Sequence, residues 1–195
     1  PQKGRYDIAN NNFQKLKWAY RHWFNQLEVA EKESGLEEYF RNQILDFGLP
    51  EGFKTENKIS LSSAGDLLAV DVLIPENTPN LFNEIRDFYC TADLICANLE
   101  SPVDRNKPIG STQSTGQPAR MNTSYEMLRR FRIDGGINYF STANNHSFDW
   151  EEDGLLSTID ALKDSGAYFS GTNSTLEEQE DVLIIEKNDI KIAML

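Results

Sequence analysis

Three short stretches carry the residues able to do chemistry. "STANNHSFDW" (141–150) sets Asn144, Asn145 and His146 directly after an apolar run and places Asp149 three residues on. "AGDLL" offers Asp66, and "ANLESP" offers Asn98 and Glu100. Carboxylates and amide oxygens are hard donors suited to Mg²⁺, Mn²⁺ or a similar ion. The histidine could be a ligand or a general acid, with Asp149 orienting its imidazole. Singly, each stretch also reads as an ordinary turn, loop start or helix cap. Their shared position argues otherwise, because each follows a predicted strand.

Those strands belong to an alternating pattern. From Lys58 the chain reads as strand "KISLSSAG", helix "NLFNEIRDFYC" with Leu81, Ile85 and Phe88 on one side, and buried strand "DLICANLE". Helix "TSYEMLRRFRI" follows, capped by Thr123 or Ser124, then strand "GINYFSTA". Helix "GLLSTIDALKDSG" turns Leu155, Ile159 and Leu162 inward and stops at Gly166. "VLIIEKNDIKIAML" reads as a hairpin turning at Asn188-Asp189. The alternation predicts an α/β fold with a largely parallel sheet. In such sheets the carboxyl ends of the strands form the ligand crevice. The polar stretch 104–122 is long for a loop inside a compact domain, so it is expected to be functional or mobile.

Before Lys58 the pattern is helical. Helices are predicted over 11–33 and 36–47, the second stopped by Gly48 and Pro50. Their aromatic stripe, with Trp18, Tyr20, Trp23 and Phe24, could dock a partner. The favoured expectation is a helical hairpin packed through Leu16, Tyr20, Trp23, Leu27, Tyr39, Phe40 and Phe47.

Composition narrows the function. The chain has 195 residues, room for one domain with an appendage. A net charge of −12 argues against nucleic acid or an anionic membrane as the main partner. No apolar run reaches membrane-spanning length, and the two cysteines, Cys90 and Cys96, lack a metal-type spacing.

"AGDLL", "ADLICANLESPV" and "STANNHSFDWEEDGLLSTIDALKDSG" together resemble the CapA family of capsule and poly-γ-glutamate synthesis proteins, over residues 58–195. That family is similar in fold to calcineurin-like metallophosphoesterases. The resemblance implies part of a four-layer α-β-β-α fold, preceded here by the helical extension 1–57. It implies metal ligands at Asp66, Glu100 and Asn145, a catalytic acid at His146 partnered by Asp149, and substrate contacts at Asn98 and Asn144. It implies a divalent metal (Mn, Mg, Zn or Fe), held weakly or not at all by these residues alone. The partners implied are an anionic polymer or phosphoester-like substrate and membrane-associated capsule machinery, at the cell envelope or outside it.

Departures from the superfamily pattern are specific. Leu68 stands where the first motif has histidine, and the second motif ends in Glu100 where aspartate is usual. The later histidines of the superfamily do not occur, and His22, the other histidine, lies in the helical extension. The sequence therefore predicts the first part of a longer protein. Two functions compete: a metal-dependent hydrolase-like site, and a non-catalytic polymer-binding or assembly component that keeps the fold without turnover.

Overall fold

The computed structural model describes residues 11–24, 34–44, 48, 50–68, 73–116 and 118–195. The chain divides into two compact units, Pro1–Phe53 and Lys54–Leu195.

In the first unit, helix α1 spans Asn12–Phe24. Asn11 caps it, its Oδ1 accepting from the Gln14 amide at 2.9 Å. Helix α2 spans Leu36–Asn42, with Glu37 and Glu38 in its first turn and Arg41 in its last, as the helix dipole favours. Residues 25–33 and 45–47 of the predicted helices, and with them Leu27 and Phe47, lie outside the described residues. The expected packing is corrected for the rest. Leu16, Tyr20, Trp23, Tyr39 and Phe40 are all exposed. Helical spacing says which residues share a face, and it does not supply a surface to cover that face.

The second unit is mixed α/β. Strand β1 spans Leu61–Asp66. A 3₁₀ turn at Asn83–Ile85 runs into the short helix α3, Arg86–Tyr89. Next come β2 (Leu94–Asn98), the ribbon β3 (Gly110–Thr112) and β4 (Arg120–Asn122), and helix α4 (Tyr125–Ile133). Strand β5 (Tyr139–Ser141), helix α5 (Glu151–Ser165), strand β6 (Tyr168–Ser170) and helix α6 (Leu176–Glu180) follow. The hairpin β7 (Leu183–Lys187) and β8 (Ile190–Met194) ends the unit. The main sheet has the order β1-β2-β5-β6, every pair parallel.

Period-two alternation in β2 shows how the sheet is buried on both faces. Ile95, Ala97 and Leu99 enter one core with Met127, Leu128 and Phe131 of α4 and Leu162 of α5. Leu94 and Cys96 enter another with Tyr139 and with Ile185, Leu183, Ile192 and Met194 of the hairpin. Helices thus cover one face and the β7–β8 ribbon the other.

Local signals explain most boundaries. Ser124 caps α4, accepting from the Met127 amide at 3.1 Å. Gly166 ends α5 in the left-handed region at φ 67°. Asn188 and Asp189 both have positive φ, the geometry that a two-residue hairpin turn demands.

Two expectations are corrected. The segment 80–90 is not one helix: Phe82 and Tyr89 are buried while Leu81, Ile85 and Phe88 are exposed. Its 3₁₀ entry has three residues per turn, which shifts the inward face away from the one counted at 3.6. The stretch 104–122, expected as one long loop, is not loop throughout. It folds into the β3–β4 ribbon, pinned by Asn122, which accepts from the Asp104 amide at 2.9 Å and donates to the Asp104 and Lys107 carbonyls at 2.8 and 3.1 Å.

Candidate functional site

The strand ends meet. Asp66 of β1 stands opposite Asn98 of β2 in the register, just past an irregularity that begins after Ser63. Asn98 Nδ2 donates to Asp66 Oδ1 at 2.8 Å. Asn144, past the end of β5, donates from Nδ2 to Asn98 Oδ1 at 3.1 Å and to the Leu99 carbonyl at 2.9 Å. Its own Oδ1 accepts from the His146 amide at 3.1 Å, and its carbonyl accepts from Ser147 Oγ at 2.9 Å. One chain of amides therefore ties three predicted strand ends together.

His146 Nδ1 lies 2.8 Å from Asp149 Oδ2, with both side chains largely shielded from solvent. The same Asp149 oxygen accepts from the Met121 amide of β4 at 2.6 Å. A carboxylate so placed favours a proton on Nδ1.

Glu100 joins the group through its electrostatics. Burial pushes its carboxyl above the usual glutamate range, the charge of Asp66 and a hydrogen bond to that carboxyl raise it further, and His146 offsets part of the rise. Asn145 is exposed on the turn between Asn144 and His146. The structure thus brings Asp66, Asn98, Glu100, Asn144, His146 and Asp149 into one cluster.

A backbone feature accompanies the cluster. Glu151, two residues past Asp149, has φ 59°, a left-handed conformation uncommon for a side-chain-bearing residue.

Several neighbours carried no signal in the reading by motif. The Trp150 indole donates to the Met121 carbonyl at 2.9 Å. Lys107 and Arg120 lie 5.6 and 5.3 Å from its ring centroid. Arg120 also reaches Glu151 at 3.6 Å. These two cations give the rim a positive element. They sit inside the polar stretch 104–122, so basic residues in that flagged segment were the available clue. The Met121 amide is a backbone group and had none.

The donor chemistry tests what ion the cluster suits. Two neighbouring carboxylates and nearby amide oxygens are donor types that a hard cation accepts. They do not fit a histidine-rich dinuclear centre. Among the described residues no group of three or more His, Cys, Asp or Glu side chains is arranged to hold a metal ion. Leu68, where a ligand histidine would fall in the superfamily pattern, lines an apolar cavity instead.

A model of the family described as bacterial capsule synthesis protein PGA_cap matches residues 58–195. Two uncharacterized proteins of Sinorhizobium fredii (strain NBRC 101917 / NGR234), y4sH and y4uA, are each 23% identical to this chain over 136 residues. The match covers 70% of this chain and 29% of each relative, so the chain spans less than a third of their length.

Proposed function

This chain belongs to the bacterial capsule synthesis protein family, and from that membership we propose that its strand-end cluster is a metal-assisted, phosphoesterase-like hydrolytic site acting in capsule or poly-γ-glutamate synthesis or export. The reading places the site in a four-layer α-β-β-α metallophosphoesterase-like domain in the intact protein. One observation carries it: the His146–Asp149 pair at 2.8 Å, anchored by the Met121 amide and set beside the Asp66–Glu100 carboxylates.

In this reading Asp66 and Glu100, with the Asn145 amide oxygen, would hold a divalent cation. Such an ion, when bound, polarises a phosphoryl oxygen. The chain's own groups do the rest. Lys107 and Arg120 attract an anionic substrate, and Asn98 and Asn144 hold the strand ends in register and contact it. As water attacks phosphorus and the ester P–O bond breaks, His146 Nε2 gives its proton to the departing oxygen, and the proton shed by the attacking water passes to solvent, from which His146 is reprotonated. Asp149 keeps the ring oriented and stabilises its cationic form.

The test is metal analysis and phosphoesterase assay of the intact protein on a substrate panel. Asp66→Ala and Asn145→Ala are expected to lower metal content. His146→Ala is expected to retain metal and lose about 10²–10⁴-fold in turnover. Wild-type metal content in Asp66→Ala, or unchanged turnover in His146→Ala, would sink the assignment.

A second reading is favoured by Leu68 and by the small donor set: a polymer-binding or assembly component without turnover. It predicts saturable binding of an anionic polymer that Lys107→Glu and Arg120→Glu weaken, with no hydrolysis of any ester in the panel.

A further inference from the structure

Beside the strand-end cluster lies a cavity that no step of the proposed reaction uses. Its volume is about 330 Å³, within the range of small-molecule sites. Leu67 and Leu68 after β1, Phe82, and Phe131 of α4 line it. Among the described residues, Asp66 and Tyr89 are the polar side chains in its wall. The Tyr89 hydroxyl is already engaged, donating to the Cys96 carbonyl at 2.7 Å. A sugar or a nucleobase would leave polar groups unpaired against these walls, whereas apolar cavities take up apolar guests. Asp66 belongs both to the cavity wall and, through Asn98, to the cluster at the strand ends. The space is open to solvent on one side, where Leu81 and Ile85 line it and stay 39% and 43% exposed.

We infer that this cavity holds the aliphatic chain of an amphiphilic phosphoester whose phosphate sits at the Asp66 end. The inference deepens the hydrolytic reading and rests on it for the position of the phosphate. Orientation follows from the walls: a chain directed toward the fully buried Phe131 leaves its polar head at the one carboxylate. Asp66 alone would repel a phosphate, so the head is expected to bind when a divalent cation is supplied. Size sets the length of the chain. A water-sized group takes about 30 Å³, so the space accommodates roughly ten methylene-sized groups. Leu68 then has a positive role. Where the superfamily pattern has a ligand histidine, it supplies wall to the pocket.

The experiment is titration calorimetry of the intact protein in Mn²⁺ with butyl phosphate, octyl phosphate and octanol, each below its micelle-forming concentration. A fully buried methylene contributes about fourfold in affinity, so octyl phosphate should bind more than about tenfold tighter than butyl phosphate. Octanol should bind more weakly than octyl phosphate. Ala64 and Ile85 line the cavity at exposed positions, where substitution spares the core. Ala64→Trp and Ile85→Glu should each remove the advantage of octyl over butyl phosphate and keep butyl phosphate binding. The inference is overturned by equal affinity for the two phosphates, by octanol binding as tightly as octyl phosphate, or by both variants retaining the advantage. Chain-length-dependent binding without hydrolysis supports the inference and counts against the hydrolytic reading. Hydrolysis of both esters at equal KM upholds that reading and overturns the inference.

Discussion

One oxygen of Asp149 accepts from both the His146 ring and the Met121 amide. Asp149→Asn keeps the shape but loses the negative charge that matches the imidazolium. Turnover in the intact protein is expected to fall by less than in His146→Ala, with metal content unchanged; a loss of metal would show Asp149 to be a ligand. Asn144 makes a different demand, since its amide joins Asn98, Leu99 and His146. Asn144→Ala leaves part-buried partners unsatisfied, which typically costs about 1–3 kcal/mol each. Thermal denaturation should show the loss, and an unchanged midpoint would mean that water replaces the amide. The polar side chains at the strand ends were legible because they interrupt apolar runs. Their mutual bonds were not, because register depends on how β1 and β2 pair, with an irregularity after Ser63 that no residue type announces.

At the scale of elements, Asp93 joins two pieces of the unit. Its carboxylate accepts from the Ser60 amide at 2.9 Å and from Ser60 Oγ at 2.8 Å, ahead of β1. Lys187 of β7 lies 3.7 Å from it and donates to the Asp93 carbonyl at 3.0 Å. The Ser60 hydrogen bonds, backbone first, and then Lys187 hold this carboxyl below the usual aspartate range. A lowered folded pKa means the stabilisation is complete above the ordinary value of about 3.9 and is lost as pH falls through the folded one. Acid should therefore loosen β1 and the hairpin, read by amide exchange in those strands. Asp93→Asn should remove that part of the pH dependence, and its persistence would assign it elsewhere.

Gly171 is a second such joint. At φ 116°, a built Cβ would come within 2.5 Å of the Ala143 amide nitrogen, in the turn that leads to Asn144. Gly171→Ala is expected to cost about 1–3 kcal/mol and to displace that turn. Elements with strong local chemistry, such as the Asn188-Asp189 turn, the Gly166 stop and the Ser124 cap, were readable in sequence. Strands β3 and β4 were not, because Gly110–Thr112 and Arg120–Asn122 lie in no apolar run, and β6 was not, because Tyr168–Ser170 is too short to show alternation and lacks the longer apolar run that marks the equally short β5.

At the scale of the molecule, the parallel sheet depends on both its covers. Ile185 is 3% exposed and inserts from the hairpin against Leu94, Cys96 and Tyr139. Ile185→Ala should cost about 2–5 kcal/mol by leaving a cavity there. Denaturant titration would measure it, and a loss below 1 kcal/mol would mean that the hairpin settles inward. The α/β pattern was readable across Lys54–Leu195 because alternating apolar runs report burial directly. In the first unit the same spacing gave the helices but misjudged their burial, since an amphipathic face looks alike whether it meets protein or another surface.

The three tryptophans divide between the two parts of the chain: Trp18 and Trp23 on α1, Trp150 beside the His146–Asp149 pair. The Trp150 indole, bonded to the Met121 carbonyl and faced by Lys107 and Arg120, makes the strand-end site its own optical probe. With Trp18 and Trp23 replaced by phenylalanine, emission from the remaining indole reports only what reaches the rim. An anion that draws the two cations off the ring alters its quenching. Occupancy of the site then becomes visible as light, without turnover and without knowing the substrate beforehand.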